Sequence, residues 1–293
     1  MAAHTDQQSP LLLALMALLD DDDPAVTTAV QRKLVELGGA AAPALRGVME
    51  TESNPVALEH ARAALGNIAV GVFRAGIERL VEGLEEEQDI DLEAAAFAVA
   101  LIAYPELESR EYSQQLDRFA ERLKFVVANS SDDLSRAKAV GRYLFQELGF
   151  RGAAQNSYYD PANSFLNNVM DRRVGIPVSL SVVVLLLARR LGLPIAGISF
   201  PARFLLQYQG RDDNFFIDTF DGGAILSYQD CCDLLRVMGI NYHPRYLEPA
   251  SNREIVARML RNLAEIYRER EPERTAQLLW AIRRILPSIV TYD

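Results

Sequence analysis

The stretch that decides the fold is Asn156–Tyr208, NSYYDPANSFLNNVMDRRVGIPVSLSVVVLLLARRLGLPIAGISFPARFLLQY, together with FFIDTFDGG at Phe215–Gly223. Asp160 precedes a proline and so favours an extended conformation, and Gly175–Pro177 indicates a second turn. The apolar run from Val178 to Leu191 predicts one long helix. Alternating apolar residues then predict three strands, at Ile195–Phe200, Phe204–Gln209 and Phe215–Thr219. This part of the chain is therefore expected to form an α+β core with a small antiparallel sheet.

The residues before about Leu107 indicate helices only. Asp23 is expected to cap the second of them, and Ser9 with Pro10 to begin the first. The motif ALLDDDDPAVTTAVQRKLVELGGAAAPAL at Ala17–Leu45 resembles a HEAT repeat, although any antiparallel helical bundle would need the same breaks. The predicted helices are Leu11–Leu19, Ala25–Glu36, Ala42–Glu50, Val56–Ala69, Gly71–Glu86 and Leu92–Ala103.

The C-terminal segments Asn252–Arg268 and Glu273–Ile285 resemble one tetratricopeptide hairpin. A single repeat cannot bury its own apolar face. We therefore expect the hairpin to dock on the core, with Trp280 near the contact and with Leu260, Leu263, Ala264, Tyr267, Ala276 and Leu279 on the apolar face. The acidic loop Glu85–Asp91 is the best candidate for a linker. The predicted domains are a helical domain at 1–108, the core at 109–250 and the hairpin at 251–293.

The composition excludes some classes of partner. The chain has 293 residues and a formal net charge of −10, whereas binding to nucleic acid or to an anionic membrane needs a concentrated basic surface. The apolar stretch Leu11–Leu19 lacks the basic residues that precede it in a signal peptide. The longest apolar run, Val178–Ala188, is shorter than the roughly 20 residues that span a bilayer. We expect a cytoplasmic, soluble protein with a protein or peptide partner, in an oligomeric state that stays open.

Four motifs carry a resemblance to a known family: YDPANS at Tyr159–Ser164, GIPVSL at Gly175–Leu180, ARRLGLP at Ala188–Pro194 and FIDTFDGG at Phe216–Gly223. With them, residues from about 110 to 290 resemble the SirB-type family of bacterial proteins, within the transglutaminase-like (papain-like) superfamily. The resemblance implies a core of that fold. It also implies a catalytic triad of a Cys at the start of the apolar helix, a His at the head of the next strand and an Asp on the strand after it.

Two of the three triad positions hold other residues. Counted back from Gly192, the Cys position falls on Pro177, or on Ser179 with a shift of two residues, and the His position falls on Arg203. Only Asp218 matches the superfamily pattern. Arginine stays protonated and cannot act as a general base at neutral pH, and a serine without a base is close to inert. The resemblance therefore predicts a core that lacks the superfamily's chemistry.

Three functions stay open at this point. The first is a non-catalytic interaction or scaffold protein, because two helical segments resemble repeats that usually bind proteins. The second is a residual hydrolase or acyltransferase that uses Ser179 or a displaced Cys. The third is a module that binds a peptide or a small ligand in the vestigial cleft.

Each candidate residue also has a structural explanation. Ser179 lies where serines usually cap a helix. Arg203 is expected to pair with Asp218, which would convert a catalytic dyad into a structural ion pair. Asn163 and Ser164 are expected to cap the helix that runs through Met170.

The cysteines and histidines give only weak indications of a disulfide, a metal site or a catalytic dyad. Cys231 and Cys232 are adjacent, so they offer neither an ordinary disulfide nor the spacing of a metal site. They could form a relocated dyad with His243, although buried, inert cysteines are commoner. The other histidines, His4 and His60, lie far away in the sequence. No metal and no cofactor are expected.

Overall fold

The computed structural model describes residues 10–210 and 214–287, so the expectations on Ser9 and His4 fall outside the described residues. The chain forms two compact units. The first runs to Gly76 and includes Ala100–Leu107, and the second consists of Ile77–Val99 and the chain from Glu108 onward. The division into three domains remains a proposal.

The first unit is a small helical array. Its helices are α1 (Pro10–Ala17), α2 (Pro24–Leu37), α3 (Ala42–Thr51) and the first part of α4 (Pro55–Val81). The Asp23 carboxylate accepts a hydrogen bond from the Ala25 backbone N–H at 2.8 Å, as expected for the cap of α2. A Cβ at Gly39 would lie only 2.2 Å from the Pro105 carbonyl oxygen. The glycine therefore permits a close approach of two backbone segments within this unit.

Helix α4 corrects one prediction. The sequence predicted two helices, Val56–Ala69 and Gly71–Glu86, but the structure has one helix of 27 residues. Gly66 and Gly71 lie inside it, and a Cβ at either position would meet no atom within 4 Å. An isolated glycine costs a helix only about 1 kcal/mol, which packing overrides.

The second unit combines helices with a small antiparallel sheet, as predicted. Its first helices are α5 (Leu92–Ala100), α6 (Ser109–Ala128), α7 (Asp133–Gly141), α8 (Leu166–Arg172) and α9 (Pro177–Leu191), with α10 (Tyr228–Val237), α11 (Asn252–Tyr267) and α12 (Pro272–Ile285) further along. Helix α9 is the apolar run of the sequence, and all eleven residues from Val178 to Ala188 are buried. This explains why the run shows no polar face.

The sheet has five strands in the order β6-β5-β4-β3-β7. They are β3 (Ile195–Ile198), β4 (Leu205–Gln209), β5 (Asn214–Asp218), β6 (Ala224–Leu226) and β7 (Pro249–Ala250), and a separate parallel pair joins β1 (Arg151–Gly152) to β2 (Val174–Gly175). Neighbouring strands of the sheet are antiparallel, with Leu206 opposite Ile217 and Tyr208 opposite Phe215. The turn that leads into β4 and the end of β5 hold the candidate site residues.

The segment before α9 differs from the prediction. Asn163 and Ser164 are buried and do not cap α8, because Phe165 occupies its N-cap position. The Asn163 amide donates to the Ser157 carbonyl at 2.7 Å, and its own carbonyl accepts from the Ser179 hydroxyl at 2.6 Å. Asn163 therefore ties this segment to the start of α9.

The C-terminal hairpin α11–α12 belongs to the second unit. Arg253, only 5% exposed, donates hydrogen bonds to the carbonyl oxygens of Gln88 at 2.7 Å, Ile285 at 2.6 Å and Glu85 at 3.2 Å. Asp89 accepts from the backbone N–H groups of Asn252 and Arg253 at 2.8 and 3.0 Å, at the start of α11. The loop predicted as a linker therefore holds the hairpin in place.

The predicted apolar face of the hairpin agrees with the structure in α11 but is shifted along the sequence in α12. Leu260, Leu263, Ala264 and Tyr267 are buried as expected. Ala276 and Leu279 are exposed, whereas Leu278, Ala281, Ile282 and Ile285 are buried. Trp280 is partly buried. The tetratricopeptide pattern placed the face of α12 two residues away from its real position.

Candidate functional site

Asp218 ends strand β5 and is almost completely buried, with 4% of its side chain exposed. One carboxylate oxygen accepts from the backbone N–H groups of Phe220 at 3.0 Å and Asp221 at 3.2 Å. The other accepts from the Arg203 guanidinium at 2.6 Å. Burial of a carboxylate is tolerated when hydrogen bonds and an opposite charge compensate for lost water, and Asp218 has both.

Arg203 lies in the turn that leads into β4, with 42% of its side chain exposed. The turn brings the guanidinium over the end of β5, so the predicted pairing with Asp218 is present in the structure. The residue before it, Ala202, has a backbone φ of 54°, in the left-handed region where a Cβ is strained.

Ser179 lies in the first turn of α9 and is completely buried. Its hydroxyl lies within hydrogen-bond distance of two carbonyl oxygens, that of Asn163 at 2.6 Å and that of Ile176 at 3.1 Å. It also accepts a hydrogen bond from the Ile176 backbone N–H at 3.0 Å. A Cβ at Gly175 would come within 2.7 Å of this oxygen. Ser179 is therefore enclosed by backbone and holds the turn before α9 in place, as a helix-start hydroxyl does.

A second serine, Ser181, connects the start of α9 to the end of β5. Its hydroxyl lies 2.9 Å from the hydroxyl of Thr219, the residue after Asp218, and both are buried. Thr219 also donates to the Pro177 carbonyl at 3.3 Å. Neither Ser181 nor Thr219 was predicted from the sequence as part of this site. A serine in the middle of an apolar run was the available signal, since a buried hydroxyl needs a partner.

The structure thus brings Arg203 and Asp218 together and directs Ser179 elsewhere. The first turn of α9 does lie beside the end of β5, where the superfamily order expects it. However, the α9 hydroxyl that makes a hydrogen bond at the end of β5 is that of Ser181. Its partner is the Thr219 hydroxyl, not Asp218 or Arg203. In the described residues no histidine contacts this arrangement through a hydrogen bond. In this arrangement Arg203 and the two backbone N–H groups orient Asp218, and Arg203 neutralises its charge.

Cys231 is completely buried against Ile198, Phe200, Leu205 and Phe216. Burial, followed by the charges of Cys232, Asp230 and Asp218, raises the pKa of the Cys231 thiol to about 12. Reactive cysteines need a lowered pKa, so this thiol stays protonated at neutral pH. His243 caps a short helical turn through its contact with the Arg245 backbone N–H at 3.2 Å. The described residues show no contact between the two side chains that would make a relocated dyad.

A groove of about 1240 Å³ lies elsewhere in the second unit, beside α7 and the hairpin of β4 and β5. Asp133, Arg136, Tyr208 and Tyr228 contribute to its lining, and none of Ser179, Arg203 or Asp218 does. In residues 10–210 and 214–287, His, Cys, Asp and Glu side chains form no group of three that could hold a metal ion. Over the same residues, no helix combines the length and apolarity needed to cross a membrane.

Comparison with known proteins identifies the class. The sequence model described as the transglutaminase-like superfamily matches residues 110–261, just over half of the chain. This match covers the core helix α9, the sheet and the Arg203–Asp218 pair. The chain therefore belongs to the transglutaminase-like superfamily, as its motifs predicted.

Several curated proteins are similar to the chain. The UPF0162 protein of Xylella fastidiosa (strain 9a5c) is 34% identical over 210 residues, which cover 69% of this chain and 74% of that protein. The UPF0162 protein of Vibrio cholerae is 30% identical over 179 residues, 60% of this chain and 66% of that protein. F-box only protein 21 of Mus musculus is 30% identical over 149 residues, 48% of this chain and 23% of that protein. No solved structure gives a significant match.

Proposed function

We propose that this protein is a non-catalytic member of the transglutaminase-like superfamily that acts as a protein-interaction or scaffold module. The observation that carries the proposal is the 2.6 Å ion pair between Arg203 and Asp218. In the superfamily pattern, a histidine at the position of Arg203 would exchange protons and Asp218 would orient it. An arginine there stays charged at neutral pH and can only neutralise the carboxylate.

The environments of the available nucleophiles support the same proposal. Ser179 is buried and bonded to backbone carbonyls, so its oxygen has no base and no access for a substrate. Cys231 is buried, and its raised pKa keeps it as a thiol at neutral pH. A residual hydrolase or acyltransferase built on either residue would need both access and a base, and this is why we do not favour it.

The helical regions supply the surfaces for a partner in this proposal. We propose that the HEAT-like helical domain at 1–108 and the tetratricopeptide-like hairpin at 251–293, which precede and follow the core at 109–250 in the sequence, bind a protein or peptide. Repeats of both kinds present extended helical faces that usually bind other chains. A net charge of −10 disfavours nucleic acid and anionic membrane as partners.

Chemical labelling tests the non-catalytic part of the proposal. The native protein would be treated with iodoacetamide and with a fluorophosphonate, and the modified residues mapped by mass spectrometry. We expect no label on Cys231 or Ser179 until the chain is unfolded, while Cys232, which is only partly buried, reacts first and serves as the internal control. Labelling of Cys231 or Ser179 in the native protein at neutral pH would show an activated nucleophile and would overturn the proposal.

A further inference from the structure

A pocket of about 470 Å³ lies between α7, with the residues that follow it, and the turn that joins β5 to β6. The turn contributes Gly222 and Gly223 to the lining, and the helical side contributes Lys138, Arg142 and Gln146. No residue of the candidate triad lines this pocket. Its volume lies within the range of about 300–1,000 Å³ that is usual for sites that bind small molecules.

The two glycines of the turn shape the pocket in different ways. Gly223 has a φ of 81°, and a Cβ there would lie 2.9 Å from the Phe145 ring. Its lack of a side chain therefore lets the turn pack directly against Arg142–Glu147, a π-helical segment that continues α7 and is of a kind often found at functional sites. Gly222 has a φ of 60°, and a Cβ there would meet no atom within 4 Å. The space beside Gly222 is therefore open, and a ligand can approach its backbone closely.

The charged side chains that line this pocket are both cationic. Lys138 is exposed, and within residues 10–210 and 214–287 its ammonium group has no hydrogen bond or ion pair. Arg142 pairs with Glu147 at 3.6 Å, but both side chains are more than half exposed, and such a pair contributes little. The Gly222 backbone N–H donates no hydrogen bond to the described residues. The lining therefore offers an ammonium, a guanidinium and a backbone N–H, all available to an anion.

The acidic residues at the start of α7 do not compensate these charges, because they have partners of their own. Asp133 accepts hydrogen bonds from Arg136 at 2.7 Å and from Tyr208 at 3.0 Å. Asp132 caps the helix. Asp221, in the turn, is exposed and does not line the pocket. In a chain with a formal net charge of −10, the pocket is thus a local site of positive charge.

We propose that this pocket binds the phosphate group of a small phosphorylated molecule through Lys138, Arg142 and the Gly222 N–H. A phosphate presents acceptor oxygens in several directions, and it suits both the guanidinium fork and the point charge of an ammonium group. Backbone N–H groups in turns also bind anions. Val126, 39% exposed, and Ala139 line the same pocket and offer apolar contact to the rest of the ligand. This inference goes beyond the proposed interaction role and does not depend on it.

Isothermal titration calorimetry with ribose 5-phosphate, in a phosphate-free buffer of low ionic strength, tests this site. Unphosphorylated ribose is the control for the sugar and should not bind. We expect Lys138→Gln and Arg142→Gln each to weaken binding of ribose 5-phosphate about tenfold or more, because each removes a charged donor. Glu147→Gln should strengthen binding, because it releases Arg142 from its ion pair.

A titration with inorganic phosphate separates the two sources of the phosphate group. Weaker binding of inorganic phosphate than of ribose 5-phosphate would identify a phosphate ester as the ligand, because the organic part then contributes contacts. Equal or tighter binding of inorganic phosphate would identify the free ion. Both results support a phosphate site at Lys138 and Arg142, provided that their substitution weakens the binding.

Matched controls make the same substitutions away from the pocket. Lys33→Gln and Arg236→Gln remove exposed charges that are paired with Glu36 and Asp233, and they should leave binding unchanged. The inference would be overturned if neither phosphate compound bound at millimolar concentration, or if the pocket variants bound as well as the parent chain. Equal weakening by the control variants would also overturn it. Lys138 and Arg142 are exposed, so their variants should melt like the parent chain in circular dichroism, and Glu147→Gln tests the site without removing a donor.

Discussion

At the scale of single residues, the two members of the Arg203–Asp218 pair differ in their exposure to solvent. Asp218 is 4% exposed at its side chain, whereas Arg203 is 42% exposed. Loss of Asp218 would leave an arginine that water can solvate, but loss of Arg203 would leave a buried carboxylate with two backbone donors. The structure therefore indicates that Arg203 is needed mainly to compensate for the burial of Asp218.

Arg203→Ala should consequently destabilise the fold. The variant leaves the buried Asp218 carboxylate without its charged partner, and we expect the free energy of unfolding to fall by about 2 kcal/mol. This loss is smaller than for a fully buried pair, because the site is partly open to solvent. Urea denaturation would measure the loss. Arg236→Ala breaks an exposed pair with Asp233 and should cost less than about 1 kcal/mol. If the two variants lose the same stability, the pair has no structural role.

Ala202 provides a prediction of the opposite sign. Its φ of 54° places a Cβ in the left-handed region, and glycine adopts that conformation without the steric penalty. Ala202→Gly should therefore stabilise the chain by about 0.5–1 kcal/mol, measured by thermal or urea unfolding. Ala276→Gly, at an exposed position inside helix α12, should destabilise it by about 1 kcal/mol. Destabilisation by Ala202→Gly would contradict the backbone geometry assigned to this turn.

The sequence allowed the Arg203–Asp218 pair to be predicted, because the motif positions fix which residues stand at the turn and the strand end. It did not reveal that Ser179 is bonded to Asn163, sixteen residues away, or that Ser181 and Thr219 share a hydrogen bond. Such contacts depend on the packing of segments that are distant in the sequence. Residue type alone leaves their partners open.

At the scale of elements, local patterns predicted boundaries well and failed where packing decides. The apolar run identified α9 and the alternation identified β3, β4 and β5, because period and composition are local properties; the short strands β1, β2, β6 and β7 were not predicted. The predicted break between Ala69 and Gly71 is absent from the structure, where α4 runs on without interruption. The loop 85–91, predicted as a candidate linker, forms hydrogen bonds with Arg253 and Asn252 that join residues more than 160 positions apart, and no local pattern predicts these.

Arg253 tests this long-range attachment. Arg253→Ala would leave the carbonyl oxygens of Gln88, Ile285 and Glu85 without their charged donor. We expect a loss of about 3 kcal/mol, since three carbonyl acceptors lose the same charged donor together. Arg268→Ala breaks an exposed pair with Glu265 and should cost less than about 1 kcal/mol. Hydrogen exchange would locate the effect, which should concentrate in α11 and in residues 85–91, and a loss no larger than that of Arg268→Ala would show that the loop does not hold the hairpin.

At the scale of the whole molecule, the superfamily core keeps its framework while the residues of its chemistry differ. Helix α9 still begins beside the end of β5, and Asp218 still occupies the strand position that the superfamily uses. Arg203 pairs with Asp218, and hydroxyls bonded to backbone or to each other occupy the start of the helix. The family and the arginine at the His position could be predicted from the motifs, whereas the hydrogen bonds that enclose Ser179 and join Ser181 to Thr219 required the positions of the side chains.

Turnover measurements test the central claim most directly. The full chain would be assayed on a broad panel of peptide, ester and glutamine-amide substrates, beside the Ser179→Ala and Cys231→Ala variants. Because Asp218 is paired with Arg203 and neither nucleophile has a base, we predict no turnover above that of buffer for any of the three proteins. Turnover by the parent chain that either substitution abolishes would contradict the account.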